Sequence, residues 1–270
     1  MKQFRVLDPN LPDRGARGLC ALAVMTKAPQ AGRVKTRLVP PLTPEEAAEL
    51  NKCFLRDTVA AISRVCSRRP VGDASKMQFE HAGASHSGAT TAACRIAVYT
   101  PVGAESAYTD ILPAAFSLLP QRGDGFGERL YLAVEDLFKC GFGSVCLIDS
   151  DSPTVPGENF AEAVELLSAT EDRVVLGPSD DGGYYLVGVK KPHQHLFEQI
   201  DWSTERVLNQ TIQRATEIGL EVKLLPTGYD VDDGASLRRL CDELLAENAR
   251  DCIAPNTRRF LGSIAAQDKL

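Results

Sequence analysis

Short unbroken apolar runs alternate along this chain with stretches whose apolar residues recur every three or four positions. LCALAVM at 19–25, RIAVYT at 95–100 and SVCLI at 144–148 have strand length. The last is continuous enough to be buried on both faces of a parallel sheet. Between them, Leu50, Phe54, Ala61, Ile62 and Val65 predict an amphipathic helix over 44–66. Its start is written into Thr43-Pro44-Glu45-Glu46, a capping box with Pro at the first helical position. Similar spacing predicts helices over 103–118, 127–139, 157–168, 203–218 and 235–247, and strands at 173–177, 184–189 and 220–225. Strands alternating with helices predict an α/β fold, a mostly parallel sheet with helices on both faces. No internal repeat is present.

Three stretches fall outside this rhythm. Residues 1–18 are polar and broken by Pro and Gly, and are expected to be a loose leader. Residues 67–94 are Ser, Gly, Ala, His and Thr without periodicity, a flexible surface insertion. Residues 251–270 are expected to form a C-terminal tail, which leaves 19–250 as a single domain. The arginines before the run at 19–25 imitate a signal peptide, but a Pro/Gly/Lys loop follows instead of a small-residue cleavage site. A first strand is the better reading.

Composition narrows the function classes. No apolar run reaches the ~20 residues that a membrane helix needs. The net charge of −6 is wrong for a general nucleic-acid binder, so an anionic ligand must meet a local basic cluster. The eight cysteines include no CxxC pair and no His at zinc-finger spacing. They read as reduced thiols in a cytoplasmic protein, because a chain of 270 residues can bury its own core. The four histidines receive no role.

In a sheet of this kind ligands sit beyond the carboxyl ends of the strands. Directly after the first strand comes KAPQAGRVKTRL, in which Lys27, Arg33, Lys35 and Arg37 accompany Gly32 and Thr36 with no acid among them. Gly admits backbone close to an oxyanion, Lys supplies a point charge, and Arg can bind two oxygens at once. This is a candidate phosphate cradle, although not a Walker A loop; the plainer alternative is a solvated basic loop. At the end of the buried strand, Asp149-Ser150-Asp151-Ser152-Pro153 sets two carboxylates one residue apart, able to hold Mg²⁺ or Mn²⁺ against a diphosphate. Asp151 is the preferred ligand, and Lys35 with Asp151 the preferred catalytic pair.

Two further acidic segments follow strands. GPSDDGGYY at 177–185 offers Asp181, Gly182, Gly183 and Tyr184 to a substrate, or is simply a tight turn. YDVDD at 229–233 offers Asp230 and Asp232 to a metal, or caps the last helix through Asp232 or Asp233. Trp202, ahead of Ser203-Thr204-Glu205, is either a staple into the core or part of a substrate pocket. The GDGFG at 123–127 lacks a preceding apolar strand, so it is no dinucleotide fingerprint, and Glu128 and Arg129 read as structural.

Six motifs occur in order: KAPQAGRVKTRL, QRGDGFGERL, SDSP, GPSDDGGYYLVG, DWSTERVLNQT and DVDD. Over about residues 19–245 this order resembles a bacterial glycosyltransferase-A-fold family, the arsenosugar-biosynthesis glycosyltransferases or radical-SAM/selenodomain-associated transferases. Lys35-Thr36-Arg37-Leu38 and its following helix also look like those of phospholactate guanylyltransferases. The resemblance implies a nucleotide-diphospho-sugar transferase fold, GT-A-like and Rossmann-like. It puts Asp151 at the metal-binding position, residues 177–185 along the donor cleft, and Asp230 or Asp232 at a second metal position. Asp149 stands where that family is expected to have Gly, and the 67–94 insertion is unusual for it.

The leading expectation is a metal-dependent glycosyltransferase that takes a nucleotide-diphosphate sugar and a small-molecule acceptor. The alternative is a nucleotidyltransferase that joins an NTP to a phosphorylated metabolite and releases pyrophosphate. A phosphohydrolase with Asp149 as nucleophile and Asp151 as acid is disfavoured, because Pro153 stands where that motif wants Thr. A nucleotide sensor without turnover is the non-catalytic option. Base, sugar, acceptor and oligomeric state are not encoded in these patterns.

Overall fold

The computed structural model describes residues 4–67, 92–246, 250 and 252–266. Its centre is one eight-stranded sheet: β1 (Arg5–Val6), β2 (Cys20–Lys27), β3 (Ala93–Thr100), β4 (Ser117–Pro120), β5 (Ser144–Ile148), β6 (Arg173–Pro178), β7 (Tyr184–Val189) and β8 (Glu221–Leu224). The strand order is β1-β4-β3-β2-β5-β7-β6-β8. All neighbours are parallel except β7, which runs against both β5 and β6. Around the sheet lie α1 (Pro44–Ser67), α2 (Phe126–Lys139), α3 (Gly157–Ser168), α4 (Val207–Glu217), α5 (Gly234–Leu245) and α6 (Pro255–Ala265). No helix among the described residues is long and apolar enough to cross a membrane.

Side-chain alternation along the strands makes two cores. Cys20, Leu22 and Val24 of β2 face one side, with Cys146 and Ile148 of β5, and are covered by Leu55, Val59 and Ile62 of α1 and Phe160 and Val164 of α3. Ala21 and Ala23 face the other side, with Val145 and Leu147, under Leu130, Val134 and Leu137 of α2. Both faces of β5 are therefore buried, as its unbroken SVCLI run predicts. A third cluster, off the sheet, packs Leu50 and Phe54 of α1 against Leu237 and Leu240 of α5 and Leu261 of α6. The Thr43–Glu46 capping box forms: the Thr43 N–H donates to the Glu46 carboxylate at 2.8 Å and the Glu46 N–H donates to Thr43 Oγ1 at 3.2 Å.

Four expectations need correction. Residues 103–118 are no helix: a 3-10 turn at Glu105–Tyr108 leads into β4. Pro113 has no N–H to continue a helix, and Tyr108 from the 3-10 turn with Leu112 and Phe116 from the loop after it fill the first core instead. The leader is not loose over its described part, because β1 pairs with β4 and Leu7 donates to the Leu118 carbonyl at 2.8 Å. It covers a sheet edge that would otherwise present unpaired backbone. The fourth helix begins only at Val207, since Ser203 takes a left-handed φ of 63°. The C-terminal stretch includes α6, with Leu261 and Ile264 buried. The 67–94 insertion lies outside the described residues apart from the last residue of α1 and the start of β3.

What pins α6 is one buried carboxylate. Asp57 on α1 accepts from Asn256 N at 3.0 Å, Asn256 Nδ2 at 2.7 Å, Thr257 N at 2.9 Å and Thr257 Oγ1 at 2.7 Å. The first amides of α6, which a local cap would normally satisfy, are thus capped from a helix nearly two hundred residues earlier. Asp57→Ala leaves those donors buried without an acceptor. It should destabilise the protein by about 2–4 kcal/mol in urea unfolding and expose residues 255–265 to limited proteolysis. A loss under about 0.5 kcal/mol would show that α6 docks through its apolar face alone.

Candidate functional site

A cavity of about 760 Å³ opens at the carboxyl ends of β2, β3 and β5, where a sheet of this topology leaves room for a ligand. Of the residues singled out from the sequence, Lys27, Arg33, Lys35, Thr36, Arg37, Asp149, Asp151, Asp181, Gly183, Tyr184, Trp202, Asp230 and Asp232 all line it. Gly32 and Gly182 do not. Gly32 shapes the basic loop at φ 71° with open space around it. Gly182, at φ 90°, lets the acidic turn close onto residue 205: a Cβ there would run into the Glu205 carbonyl.

The centre of the site is Lys35. Its backbone is left-handed, φ 47°, a strained choice for a residue with a Cβ. That turn drives the side chain inward until only 5% of it is exposed. The ammonium donates to Asp232 Oδ1 at 2.9 Å and the Val231 carbonyl at 2.8 Å, and sits 2.9 Å from Asp151 Oδ1. It also lies 5.6 Å from the centre of the Phe54 ring. Burial alone would lower its pKa. The Asp151 and Asp232 carboxylates overcome that and hold it above the ordinary lysine value.

Around this cation the carboxylates outnumber their partners. Burial pushes Asp149 well above the usual carboxylate range, and the charges of Asp151 and Asp230 add to the rise against the Ser152 hydroxyl, which donates to Asp149 Oδ2 at 2.8 Å. Burial, with Asp181 and Asp232 nearby, pushes Asp230 up to about 6. Arg37 reaches Asp232 Oδ2 only at 3.7 Å and remains 69% exposed. Two backbone ties fix the geometry: Val231 N donates to the Asp151 carbonyl at 3.0 Å, and Asp149 N to the Tyr185 carbonyl at 2.9 Å. Among the described residues, no three His, Cys, Asp or Glu side chains form a closed metal cage. The donors present are all carboxylate oxygens, the kind a hard divalent ion shares with phosphate and water.

The remaining acids have structural duties. Asp233 caps α5 by accepting from Ala235 N at 3.0 Å and Ser236 N at 2.9 Å, so DVDD is divided between cavity and cap. Asp180 pairs with Arg239, whose guanidinium lies 3.8 Å from the centre of the Tyr229 ring. Glu128 accepts from Asp124 N at 2.8 Å, and Arg129 donates to the carbonyls of Gly123 and Asp124 at 3.0 Å each, the structural roles expected of them. Trp202 turns out to do both things expected of it as alternatives. It packs at the edge of the second core and also forms part of the cavity wall.

Thr100, Gln121, Asn51, Phe126 and Glu205 line the cavity without having been singled out. The strand-end rule would have found Thr100 and Gln121, which stand at the ends of β3 and just beyond β4. Gln121 is hidden because the helical pattern expected over 103–118 runs into the start of β4 and masks the strand end. Nothing local marks Asn51, a polar residue on the buried face of α1.

The family model described as uncharacterised proteins conserved in bacteria (DUF2064) matches residues 85–204. Among solved structures, a candidate nucleotide-diphospho-sugar transferase from Desulfovibrio desulfuricans G20 aligns with a TM-score of 0.73 at 26% identity, over 92% of this chain and 95% of that one. The 4-diphosphocytidyl-2C-methyl-D-erythritol synthase of Anaerococcus prevotii DSM 20548 aligns with a TM-score of 0.51 at 13% identity, over 85% and 97%. No curated protein sequence matches. The fold is that of the nucleotide-diphospho-sugar transferases, an α/β mixed sheet that is mostly parallel.

The crowding of carboxylates has a measurable sign. Asp230 keeps its proton in the folded chain up to about pH 6, whereas an unfolded aspartate loses it near ~4. Stability that is complete below the lower value is therefore lost as pH rises through the higher one. Asp230→Asn should be near neutral at pH 4 and should raise unfolding free energy by about 1–2 kcal/mol at pH 8. That is less than the whole shift would convert to, since the group is partly in water. Equal effects at both pH values in urea titrations would contradict this account.

Proposed function

We propose that the protein is a metal-dependent glycosyltransferase that uses a nucleotide-diphosphate sugar. The observation that carries this reading is the Lys35 ammonium, buried between Asp151 and Asp232 and flanked by Arg33 and Arg37 in one strand-end cavity. Cationic and acidic groups interleaved in this way suit a ligand that is itself a polyanion partnered by a cation. A hydroxyl of the acceptor would attack the anomeric carbon, forming the new C–O bond. The bond from that carbon to the diphosphate breaks with its electron pair, and the hydroxyl proton passes to a carboxylate of the acidic wall. Arg33, Lys35 and Arg37 would hold the diphosphate and stabilise the charge it gains on leaving.

The carboxylate-only donor set fits Mg²⁺ or Mn²⁺, held by Asp151 with Asp230 or Asp232, which when bound would neutralise part of the departing diphosphate's charge. In the chain itself Lys35 pairs with both Asp151 and Asp232 and offsets part of their charge. A nucleotide that draws the ammonium onto its phosphates frees those oxygens at the same time. Lys35 is therefore a hinge of charge between the acidic wall and the ligand.

Nucleotidyl transfer is the second reading. Lys27, Arg33, Lys35 and Arg37 in one cavity favour it, because a triphosphate brings more charge to be met. NDP released from a sugar nucleotide identifies glycosyl transfer; pyrophosphate released from an NTP identifies the alternative. A phosphatase using Asp149 as nucleophile is a poor match, since that role needs an ionised carboxylate and burial holds this one protonated to higher pH.

Lys35→Ala and Arg37→Ala should each weaken a nucleoside diphosphate by about 10- to 150-fold in calorimetry, the worth of one charge-assisted hydrogen bond. The free nucleoside should lose far less. Asp151→Asn should remove the divalent-ion dependence of nucleotide binding while circular dichroism stays unchanged. Equal losses for nucleoside and nucleotide would demote the basic loop to a solvated surface.

A further inference from the structure

The cavity has two unlike flanks. Strand order puts Thr100 of β3 and Gln121 after β4 on one side of β2, and Tyr184 of β7 with the acidic turn on the other. The first flank offers a hydroxyl and an amide, groups suited to reading the edge of a nucleobase. On the second flank the wall is apolar: Phe126 and Leu130 from α2, Trp202, and Val207 at the start of α4. Phe126 is 57% exposed, a large apolar side chain left in the open at the first position of a helix. Its ring meets the Trp202 indole edge to face, with centroids 5.1 Å apart and planes at 66°.

This aromatic corner is held rigidly. The indole lies flush against the first turn of α2 because residue 127 is glycine; a Cβ there would come within 2.6 Å of Trp202 Nε1 and of the Phe197 carbonyl oxygen. On the other side, Ser203 takes its left-handed turn, and Leu208 N donates to the Gly182 carbonyl at 2.8 Å, clasping the segment to the acidic turn. The charges around the corner are negative: Asp181 and Glu205 are exposed on the rim. Among the described lining residues this flank carries one guanidinium, Arg129, which donates to two backbone carbonyls and leaves the two carboxylates in excess by one charge.

We propose that this flank is the acceptor subsite and that it takes a neutral molecule presenting a flat apolar ring, in its simplest form an aryl alcohol. The inference rests on the glycosyltransferase reading for the word acceptor. A phosphorylated acceptor would meet two exposed carboxylates, Asp181 and Glu205, against the single charge of Arg129, whereas an uncharged ring gains stacking and apolar burial. This also bears on the choice between reactions, since nucleotidyl transfer would need a phosphate on that side.

Trp202 is the only tryptophan in the chain, so its emission reports on this flank alone. Titrations with benzyl alcohol, benzyl phosphate, glycerol and uridine, each with and without saturating UDP, test the assignment. Benzyl alcohol should change the emission saturably, bind at least ten times more tightly than benzyl phosphate or glycerol, and not be displaced by UDP. Phe126→Ala should weaken it about 2- to 12-fold. Benzyl phosphate binding as tightly as the alcohol, no saturable change with the alcohol, or uridine competing with it would each overturn the proposal, the last by placing the nucleobase there. UDP binding is followed separately by calorimetry. If UDP fails to bind while the alcohol arms hold, the ring subsite stands and the nucleotide reading falls.

Discussion

A single ammonium sets the terms for this site. Lys35 is nearly removed from water, and it is kept charged by Asp151 and Asp232 from two different strand-end loops. Remove it and the Asp151 and Asp232 carboxylates face each other without the cation between them, a pairing of like charges that the folded chain tolerates poorly. The strained backbone at residue 35, the Val231–Asp151 backbone bond and the packing of Phe54 beneath the ammonium all serve the same end, keeping the cation at the meeting point. A group in this position offsets part of the charge of the two carboxylates and ties their loops together. The folding energetics of both loops consequently pass through one side chain.

Much of the fold was legible because strand-length apolar runs and helical periodicity are local properties. SVCLI announced a strand buried on both faces, and Thr43 to Glu46 announced a helix start; both are present as read. What was not legible depends on partners distant in sequence. SLLP at 117–120 is too short to declare itself, and becomes a strand only because β3 offers it a parallel edge. The two residues of β1 are ordered by β4 in turn. α6 owes its first turn to Asp57, which no pattern near residue 255 could signal.

The site was legible to a similar depth. Most of the residues picked out do converge on one cavity, because the rule that ligands lie beyond strand ends is topological and needs only strand positions. The partners of Lys35 were another matter. Its sequence context suggested a phosphate ligand, and its position between Asp151 and Asp232 follows from a left-handed residue and a loop some two hundred positions away. The division of DVDD, with Asp230 and Asp232 to the cavity and Asp233 to a helix cap, likewise required the path of the backbone.

The reversed strand β7 has a consequence for how such a protein can diversify. Because β6 and β7 are antiparallel neighbours, the five residues 179–183 that join them form a hairpin connection on the cavity edge, unlike the long crossovers that parallel strands require. A hairpin tip can lengthen, shorten or exchange its acids without re-threading a helix across the sheet. The exposed tip of the wall opposite the basic loop therefore has the most freedom to change, Gly182 excepted because it packs on residue 205, while the loops that hold Lys35, Asp149 and Asp151 are bound to the sheet's connectivity and have little freedom to follow.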